Sequence, residues 1–283
     1  MILAQRLYLQ GKKRLTESGC ESDAFDAAQL FEHVFGMSRT DLLMQPDKPC
    51  AQKEADQFLA LIEQRAHGRP LQYLLGKWHF FGRPFFVGDG VLIPREETEL
   101  LVQTALDFTQ NRPDCRIIDL CAGSGAISVT CACEIPGAKV TAVELSERAF
   151  FYLNRNNQAL CDGRVRLIQG DITDKKLPES LSEFELILSN PPYIPSSDLD
   201  GLQREVHHEP HMALDGGEDG LHFYRMILTI WLYMLKNGGM LAVECGIGQS
   251  ELLADLFLSH GLQEVRIIPD FNGIGRIVTG RKK

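Results

Sequence analysis

The spacing of apolar residues changes character along the chain, and each change predicts a different architecture. Up to about Gly76, apolar positions recur at helical spacing. Ile2 to Thr16 reads as a first helix. Ser22 and Asp23 supply caps for a second, Ala24 to Phe35, in which Ala28, Phe31, Val34 and Phe35 share one stripe and which Gly36 ends. Ser38 caps a short helix through Leu42 and Leu43. Ala51 to Ala66 carries Ala55, Phe58, Leu59 and Ile62 on one face before His67-Gly68 stops it. These amphipathic helices predict a small bundle. It holds no constellation of catalytic side chains, so its expected role is structural or in binding a partner.

Between Pro70 and Gly90 the pattern turns strand-like. Trp78 to Phe81 and Pro84 to Val87 flank Gly82-Arg83 and predict a β-hairpin, whose rings either pack on a neighbouring domain or form a binding face. Ile93-Pro94-Arg95 leads through acidic residues into a helix from Leu100 to Phe108. Acids in a first helical turn suit the helix dipole, and Arg95 is a candidate for a place beside a ligand.

From Cys115 onward, strands and helices alternate. Strands are expected at Arg116 to Leu120, Lys139 to Glu144, Val165 to Gln169, Phe184 to Ser189 and Met240 to Glu244, then near Val265 and Ile277. Helices are expected at Gly125 to Cys133, Ser146 to about Gln158, Asp219 to Leu235 and Gln249 to Ser259. This is the pattern of an α/β fold, a doubly wound parallel sheet with helices on both faces. The expected division is a helical-bundle domain at 1–76, a β-hairpin linker at 77–92 and the α/β domain at 93–283.

Composition narrows the chemistry. The 283 residues are 44% hydrophobic and 24% charged, ordinary for a globular protein, and no apolar run approaches a membrane span. Met1 to Leu7 lacks a basic start, a long apolar stretch and a cleavage site, so no signal peptide is expected. A net charge of −9 argues against a broad phosphate-binding surface. Cys20, Cys50, Cys115, Cys121, Cys131, Cys133, Cys161 and Cys245 show no CxxC spacing and read as small buried side chains in a reducing compartment. Cys131-Ala132-Cys133 has no His cluster to complete it, and on a helix these two thiols face different directions, so no metal is expected.

The candidate chemistry sits where strands end, the usual ligand side of such sheets. Asn190-Pro191-Pro192-Tyr193 follows the fourth strand. Two prolines stop that strand, and each forces the residue before it into an extended backbone. The Asn190 side-chain carbonyl and the Pro191 backbone carbonyl can together hold both hydrogens of a planar –NH2 group, with the Tyr193 ring stacked on its π-system. A proline-rich turn capping a strand is the plainer account. Asp119-Leu120-Cys121-Ala122-Gly123-Ser124-Gly125 joins the first strand to a helix and lacks the GxGxxG spacing of dinucleotide folds; Asp119 suits a cationic amine better than a pyrophosphate. Glu144 ends the second strand, where an acid either grips ribose hydroxyls or caps the helix near Ser146. Asp171, before Ile172, ends the third and can accept from an exocyclic amine such as that of adenine.

The combination resembles the S-adenosylmethionine-dependent methyltransferases. More closely, it resembles the HemK family of protein-(glutamine-N5) methyltransferases acting on peptide chain release factors. The likeness covers nearly the whole chain: Asp26 to Leu30, Pro70 to Gly76, Ile93-Pro94-Arg95 to Glu99, Asn190 to Tyr193, Glu209-Pro210 to Leu214, and Gly275-Arg276 to Arg281. Asn-Pro-Pro-Tyr alone is shared with adenine-N6 DNA methyltransferases; the linker with Pro94-Arg95 and Glu209-Pro210 is more specific. Cys121 stands where glycine is frequent and Glu144 where aspartate is frequent, and both keep the required chemistry.

The resemblance implies a Rossmann-like methyltransferase domain that uses S-adenosyl-L-methionine. Asn190, Pro191, Pro192 and Tyr193 would be its catalytic residues. Asp119, Cys121, Ala122, Gly123, Ser124, Gly125, Glu144, Asp171, Ile172 and Asn190 would bind the cofactor. It implies methylation of the glutamine amide in a Gly-Gly-Gln loop of a release factor, in the cytoplasm, without direct nucleic-acid or membrane partners. The helical domain would recognise the protein substrate. Alternatives are a ribosomal-protein glutamine, adenine-N6 in nucleic acid, or a non-catalytic binding module. The acidic charge and lack of a DNA-reading insertion weaken the second, and the intact strand-end motifs weaken the third.

Overall fold

The computed structural model describes residues 2–112 and 114–283; Met1, where the helical domain is expected to begin, lies outside them. By its internal contacts the chain forms two units. One is Met1–Lys77 with Gln203–His208, the other Trp78–Leu202 with Glu209–Lys283.

The first unit contains β1 (Ile2–Leu3), α1 (Ala4–Glu17), α2 (Asp23–Phe35), α3 (Arg39–Met44), β2 (Pro49–Cys50), α4 (Gln52–Ala66) and α5 (Leu71–Leu75). The apolar stripes close on one another: Leu7, Leu15, Leu30, Phe31, Phe58 and Ile62 are buried. Gly11 lets α1 approach α4, since a Cβ there would lie 2.6 Å from the Phe58 ring. Gly36 ends α2 at φ 61° as expected, and Ser38 closes a capping box with Asp41. Ser22 does not cap α2. It donates instead to the Asp26 carboxylate at 2.8 Å, a competing acceptor one turn on. Asp26 is buried and receives Arg65 Nε at 2.6 Å, while Arg65 Nη2 donates to Glu205 at 2.9 Å. That contact brings Gln203–His208 into this unit, a return of the chain that no periodicity announces.

The second unit opens at Trp78, within the hairpin β3 (Lys77–Phe80) and β4 (Arg83–Phe86), which lies one residue earlier than the pattern places it. Phe81 and Gly82 both have positive φ, as a two-residue turn of this twist requires. The hairpin rings take the packing role: Phe80 and Phe85 are buried in the core. Then follow α6 (Glu99–Thr109), β5 (Arg116–Leu120), α7 (Ala126–Glu134), β6 (Lys139–Glu144), α8 (Glu147–Cys161), β7 (Arg166–Gln169), β8 (Phe184–Ser189), α9 (His222–Met226), β9 (Leu235–Glu244), α10 (Ser250–Ser259), β10 (Gln263–Pro269) and β11 (Gly275–Arg281).

The seven-stranded sheet has the order β10-β11-β9-β8-β5-β6-β7. Successive residues of β5 serve opposite faces. Ile117 packs with α6, α7 and α8, and Ile118 packs with Tyr224, Trp231 and α10. The sheet is not wholly parallel, as alternation alone implies: β11 runs antiparallel to both β9 and β10. The short turn at 270–274 makes this necessary, because a parallel return needs a crossover of a dozen or so residues. The helix expected at Asp219 to Leu235 is also revised. α9 is short and passes into a π turn, Ile227–Trp231, and a 3-10 turn, Leu232–Met234. The irregular turns carry Trp231, whose indole N–H reaches the Ile172 carbonyl at 2.8 Å.

Strand order reverses between β5 and β8. Open α/β sheets bind ligands at such a switch point, beyond the carboxyl ends of the strands. Ser189 clamps the pair by donating to the Leu120 carbonyl at 2.6 Å.

Candidate active site

The ends of β5, β6, β7 and β8 meet at a cavity of 380 Å³, within the roughly 300–1,000 Å³ of small-molecule sites. Cys121, Gly123, Glu144, Asp171, Ile172, Asn190 and Pro192 line it, with Pro210 to Ala213 forming another part of its wall. Sequence positions from four strand ends are therefore gathered by the fold.

Glu144 takes the capping role near Ser146 and braces the β5–α7 turn as well. One carboxylate oxygen accepts from Gly123 N at 2.7 Å and the other from Ser146 N at 2.8 Å. Burial raises its pKa, and the backbone donors hold the rise in check. Each oxygen keeps a lone pair for a further donor, so the carboxylate is fixed without being saturated. Asp171 is fixed similarly, accepting from Thr173 N and Oγ1, both at 2.7 Å.

The β5–α7 turn places alternate residues in left-handed conformation: Cys121 at φ 64°, Gly123 at 58° and Gly125 at 83°. This explains what a glycine would do at position 121, since a residue with a Cβ is strained there. Gly125 also permits α7 to approach α8; a Cβ would fall 2.6 Å from Leu153. Ala122, Ser124 and Gly125 lie behind the wall, not on it. Asn156 supports this turn and carried no expectation. Wholly buried, it donates to the Ser124 and Phe86 carbonyls and accepts from Phe86 N, tying the turn to the hairpin. Its only signal is a polar residue on the inner face of a helix.

Asp119 is placed differently from the expectation that it meets a ligand amine. It is fully buried and does not line the cavity. One oxygen accepts from Ser128 N at 3.1 Å, in the first turn of α7, and the other has no partner among the described residues. Burial pushes its pKa up to about 7. Arg95 is likewise not on the cavity wall. It pairs with the buried carboxylate of Glu209, which also accepts from Ile93 N at 3.0 Å. This pairing anchors Pro210 to Ala213 beside the cavity, a link between segments 114 residues apart.

At the end of β8, Asn190 and Pro192 face the cavity while Pro191 is buried. The Tyr193 ring packs on the core beside the cavity and is not part of its lining. Its carbonyl accepts from Gln249 Nε2 at 2.8 Å. Gly216 and Gly220 allow the 215–221 loop to press against this segment. A Cβ on Gly216 would lie 2.7 Å from Tyr193 Cα, and one on Gly220 2.3 Å from the Tyr193 carbonyl oxygen. Asn190 Nδ2 donates to Thr98 Oγ1 at 3.2 Å. Among the described residues no group of His, Cys, Asp and Glu side chains is arranged to hold a metal ion, and no helix is long and apolar enough to cross a membrane.

The fold and the strand-end site define a methyltransferase of the S-adenosylmethionine-dependent class. Residues 6–76 match the PrmC N-terminal domain and residues 96–217 the methyltransferase small domain. Among solved structures, the hMettl16 catalytic domain superposes with a TM-score of 0.58 at 14% identity, covering 82% of both chains. A methyltransferase from Pyrococcus furiosus gives 0.51 at 20% identity, covering 71% of this chain and 90% of its own. Curated relatives carry the name release factor glutamine methyltransferase. That of Geobacter sulfurreducens is 40% identical, over 94% of this chain and 92% of its own. That of Caulobacter vibrioides is 34% identical, over 98% and 96%, and that of Clostridium botulinum 32%, over 99% and 100%. The chain belongs to the release factor glutamine methyltransferase family.

Proposed function

We propose that this protein transfers a methyl group from S-adenosylmethionine to the side-chain amide nitrogen of a glutamine in a peptide chain release factor, the glutamine of its Gly-Gly-Gln loop. The observation that carries the reading is the meeting of Glu144, Asp171 and Asn190 around one cavity at the sheet's switch point. The donor set fits the cofactor. Glu144 is an acceptor suited to ribose hydroxyls, Asp171 an acceptor suited to an exocyclic amine, and Gly123 and Cys121 give a wall of small groups between them. When bound, S-adenosylmethionine supplies an electrophilic methyl group on a sulfonium centre.

An amide nitrogen is a poor nucleophile because its lone pair is delocalised into the carbonyl. Asn190 Oδ1 and the Pro191 carbonyl accept its two hydrogens and so aim the nitrogen. Those acceptors strengthen their hold as the nitrogen becomes positive, which favours the transition state over the bound substrate, and the methylated nitrogen then gives up one proton to solvent to return to a neutral amide. Positioning supplies much of the remainder. Pro192 narrows the cavity next to Asn190, and Tyr193 fixes the segment from behind. The helical unit serves to recognise the protein substrate, and a cytoplasmic site of action fits eight free cysteines and a substrate of the translation apparatus.

Incubation with labelled S-adenosylmethionine and purified release factor, followed by mass spectrometry of the digest, tests the reading. The label is expected on one glutamine amide. No transfer, or label confined to another residue, overturns it.

A further inference from the structure

Beside Asn190 lies a carboxylate that the reaction as described does not use. Glu244 ends β9, is buried, and has one oxygen, Oε2, without a hydrogen-bond partner among the described residues. Ser189 of β8 is in register with Val243 of β9, so the residues that follow, Asn190 and Glu244, are neighbours at the strand ends; Thr98 and Asn190 both stabilise the charged form of the carboxylate. Tyr224 Oη, from α9, donates to its backbone carbonyl at 2.8 Å and fixes the strand end. Asn190 Nδ2 also donates to Thr98 Oγ1.

These contacts bear on which end of the Asn190 amide faces the substrate. A threonine hydroxyl both donates and accepts, so Thr98 can satisfy either orientation. An ionised carboxylate only accepts. It therefore admits the Asn190 –NH2 and rejects its carbonyl oxygen. We propose that Glu244 is a positioning residue that turns the Asn190 –NH2 inward and its Oδ1 toward the cavity, and that its negative charge strengthens Oδ1 as an acceptor for the substrate amide. This rests on the glutamine-methylating reading and extends it. Nδ2 donates to Thr98 Oγ1, and the Glu244 charge beside that pair polarises the amide and adds electron density on Oδ1, so the effect reaches the reacting nitrogen through Asn190.

The arrangement is sensitive to protonation. Burial, with the neighbouring charge of Glu97, pushes the Glu244 pKa up to about 7, against the lowering influence of Thr98, Arg276 and Asn190. Glu97 and Thr98 come from the turn before α6, Asn190 and Tyr193 from the end of β8, Arg276 from β11, Tyr224 from α9, and Cys245 follows Glu244. Burial first, and the charge of Glu244 in addition, raises the pKa values of Tyr193, Tyr224 and Cys245. Those three groups therefore stay neutral near pH 7, and Glu244 is the titrating member of the cluster. Once protonated, its carboxyl can donate to Oδ1, and selection of one orientation is lost.

Wild-type kcat is expected to fall on the acid side with an apparent pKa near 7. Glu244→Gln keeps the shape and removes the charge. Its kcat is expected to drop on the order of 10- to 100-fold, as when a group orienting a functional residue is lost. Its acid limb should vanish, and its affinity for S-adenosylmethionine, read by calorimetry, should be unchanged. Glu244→Asp should recover part of the rate together with the limb. A flat wild-type kcat between pH 6 and pH 8, or Glu244→Gln with wild-type rate and profile, overturns the assignment. A flat wild-type profile overturns the assignment even if Glu244→Gln does not fold, and an acid limb is then assigned by the Asn190 side-chain amide resonances, which titrate near pH 7 if Glu244 is its source. Should the wild-type protein transfer no methyl to glutamine, the reading of function fails separately. The Asn190 side-chain amide resonances then decide the positioning role: a titration near pH 7 supports it, and none overturns it.

Discussion

Asp26 in the helical unit and two carboxylates under the sheet's switch point are buried alike and partnered differently. Asp26 in the helical unit is 2% exposed and closed in by Arg65, Ser22 and Cys20. Asp119 and Glu244 under the sheet's switch point are as deeply buried, yet each keeps an oxygen without a partner among the described residues. Arg276 is the cation felt by Glu244, and it is engaged with Asp270 at 3.1 Å. A charge buried without a full complement of partners is a standing electrostatic cost. The helical unit spends its acid on holding helices and a returning loop. The sheet unit satisfies Glu209 and Glu144 in the same way, but leaves Asp119 and Glu244 under-satisfied beneath the strand ends. Substitutions at Asp26's partner and at the strand ends should therefore separate stability from turnover.

The largest expected effect is on the stability side. Arg65→Met leaves Asp26 buried without its cation and releases Glu205. It should destabilise the helical unit by about 3–5 kcal/mol, the usual consequence of breaking a buried pair from one side. Urea unfolding reads this directly, and an unchanged midpoint would show the pair to be ornamental. Calorimetry with S-adenosylmethionine should meanwhile show normal binding.

Next in size is the turnover side. Asn190→Ala leaves the Pro191 carbonyl and the Tyr193 ring in place but removes one of two acceptors. Single-turnover methylation at saturating substrate should slow by about 10²-fold or more, with unfolding little affected. A wild-type rate constant would reduce Asn190 to a strand cap.

Glu144→Gln tests the cofactor wall between these extremes. The loss of charge at a fixed acceptor should weaken S-adenosylmethionine binding by about 1–3 kcal/mol. Equal affinity for both proteins would remove Glu144 from the cofactor contacts and leave it as the clamp on Gly123 and Ser146.

The smallest effect belongs to Cys121→Gly. The left-handed backbone at 121 is strained for cysteine, and its relief is offset in part by the greater freedom of glycine in the unfolded chain. A gain of up to about 1 kcal/mol in unfolding free energy is expected. A loss of stability would mean that packing of the thiol outweighs the strain.

Much of this was legible before any coordinates. Helical spacing marks α1, α2 and α4, and short apolar runs mark β5, β6 and β8, because periods of 3.6 and 2 leave different traces in a chain. The strand-end residues Glu144, Asp171 and Asn190 could be proposed from position alone, since open α/β sheets present ligands at those ends. The irregular stretch after α9 was not legible. Ile227 to Trp231 reads as an ordinary helix, and only the distant Ile172 carbonyl accounts for where Trp231 is held.

The sequence by itself determined the order of elements and the chemical groups available at each strand end, because those depend on near neighbours in the chain. Tertiary structure decided what those groups face. It turned Asp119 away from the cavity, withdrew Arg95 to Glu209, carried Gln203–His208 to the helical unit, and set Glu244 beside Asn190. Glu244 and Asn190 are brought together because β9 lies beside β8 in the sheet, and Thr98 reaches them from a turn 92 residues before Asn190. Hydrogen bonds and buried charge depend on distance in space. A pattern of periods along the chain fixes which face a side chain occupies, but not which partner from another segment meets it there.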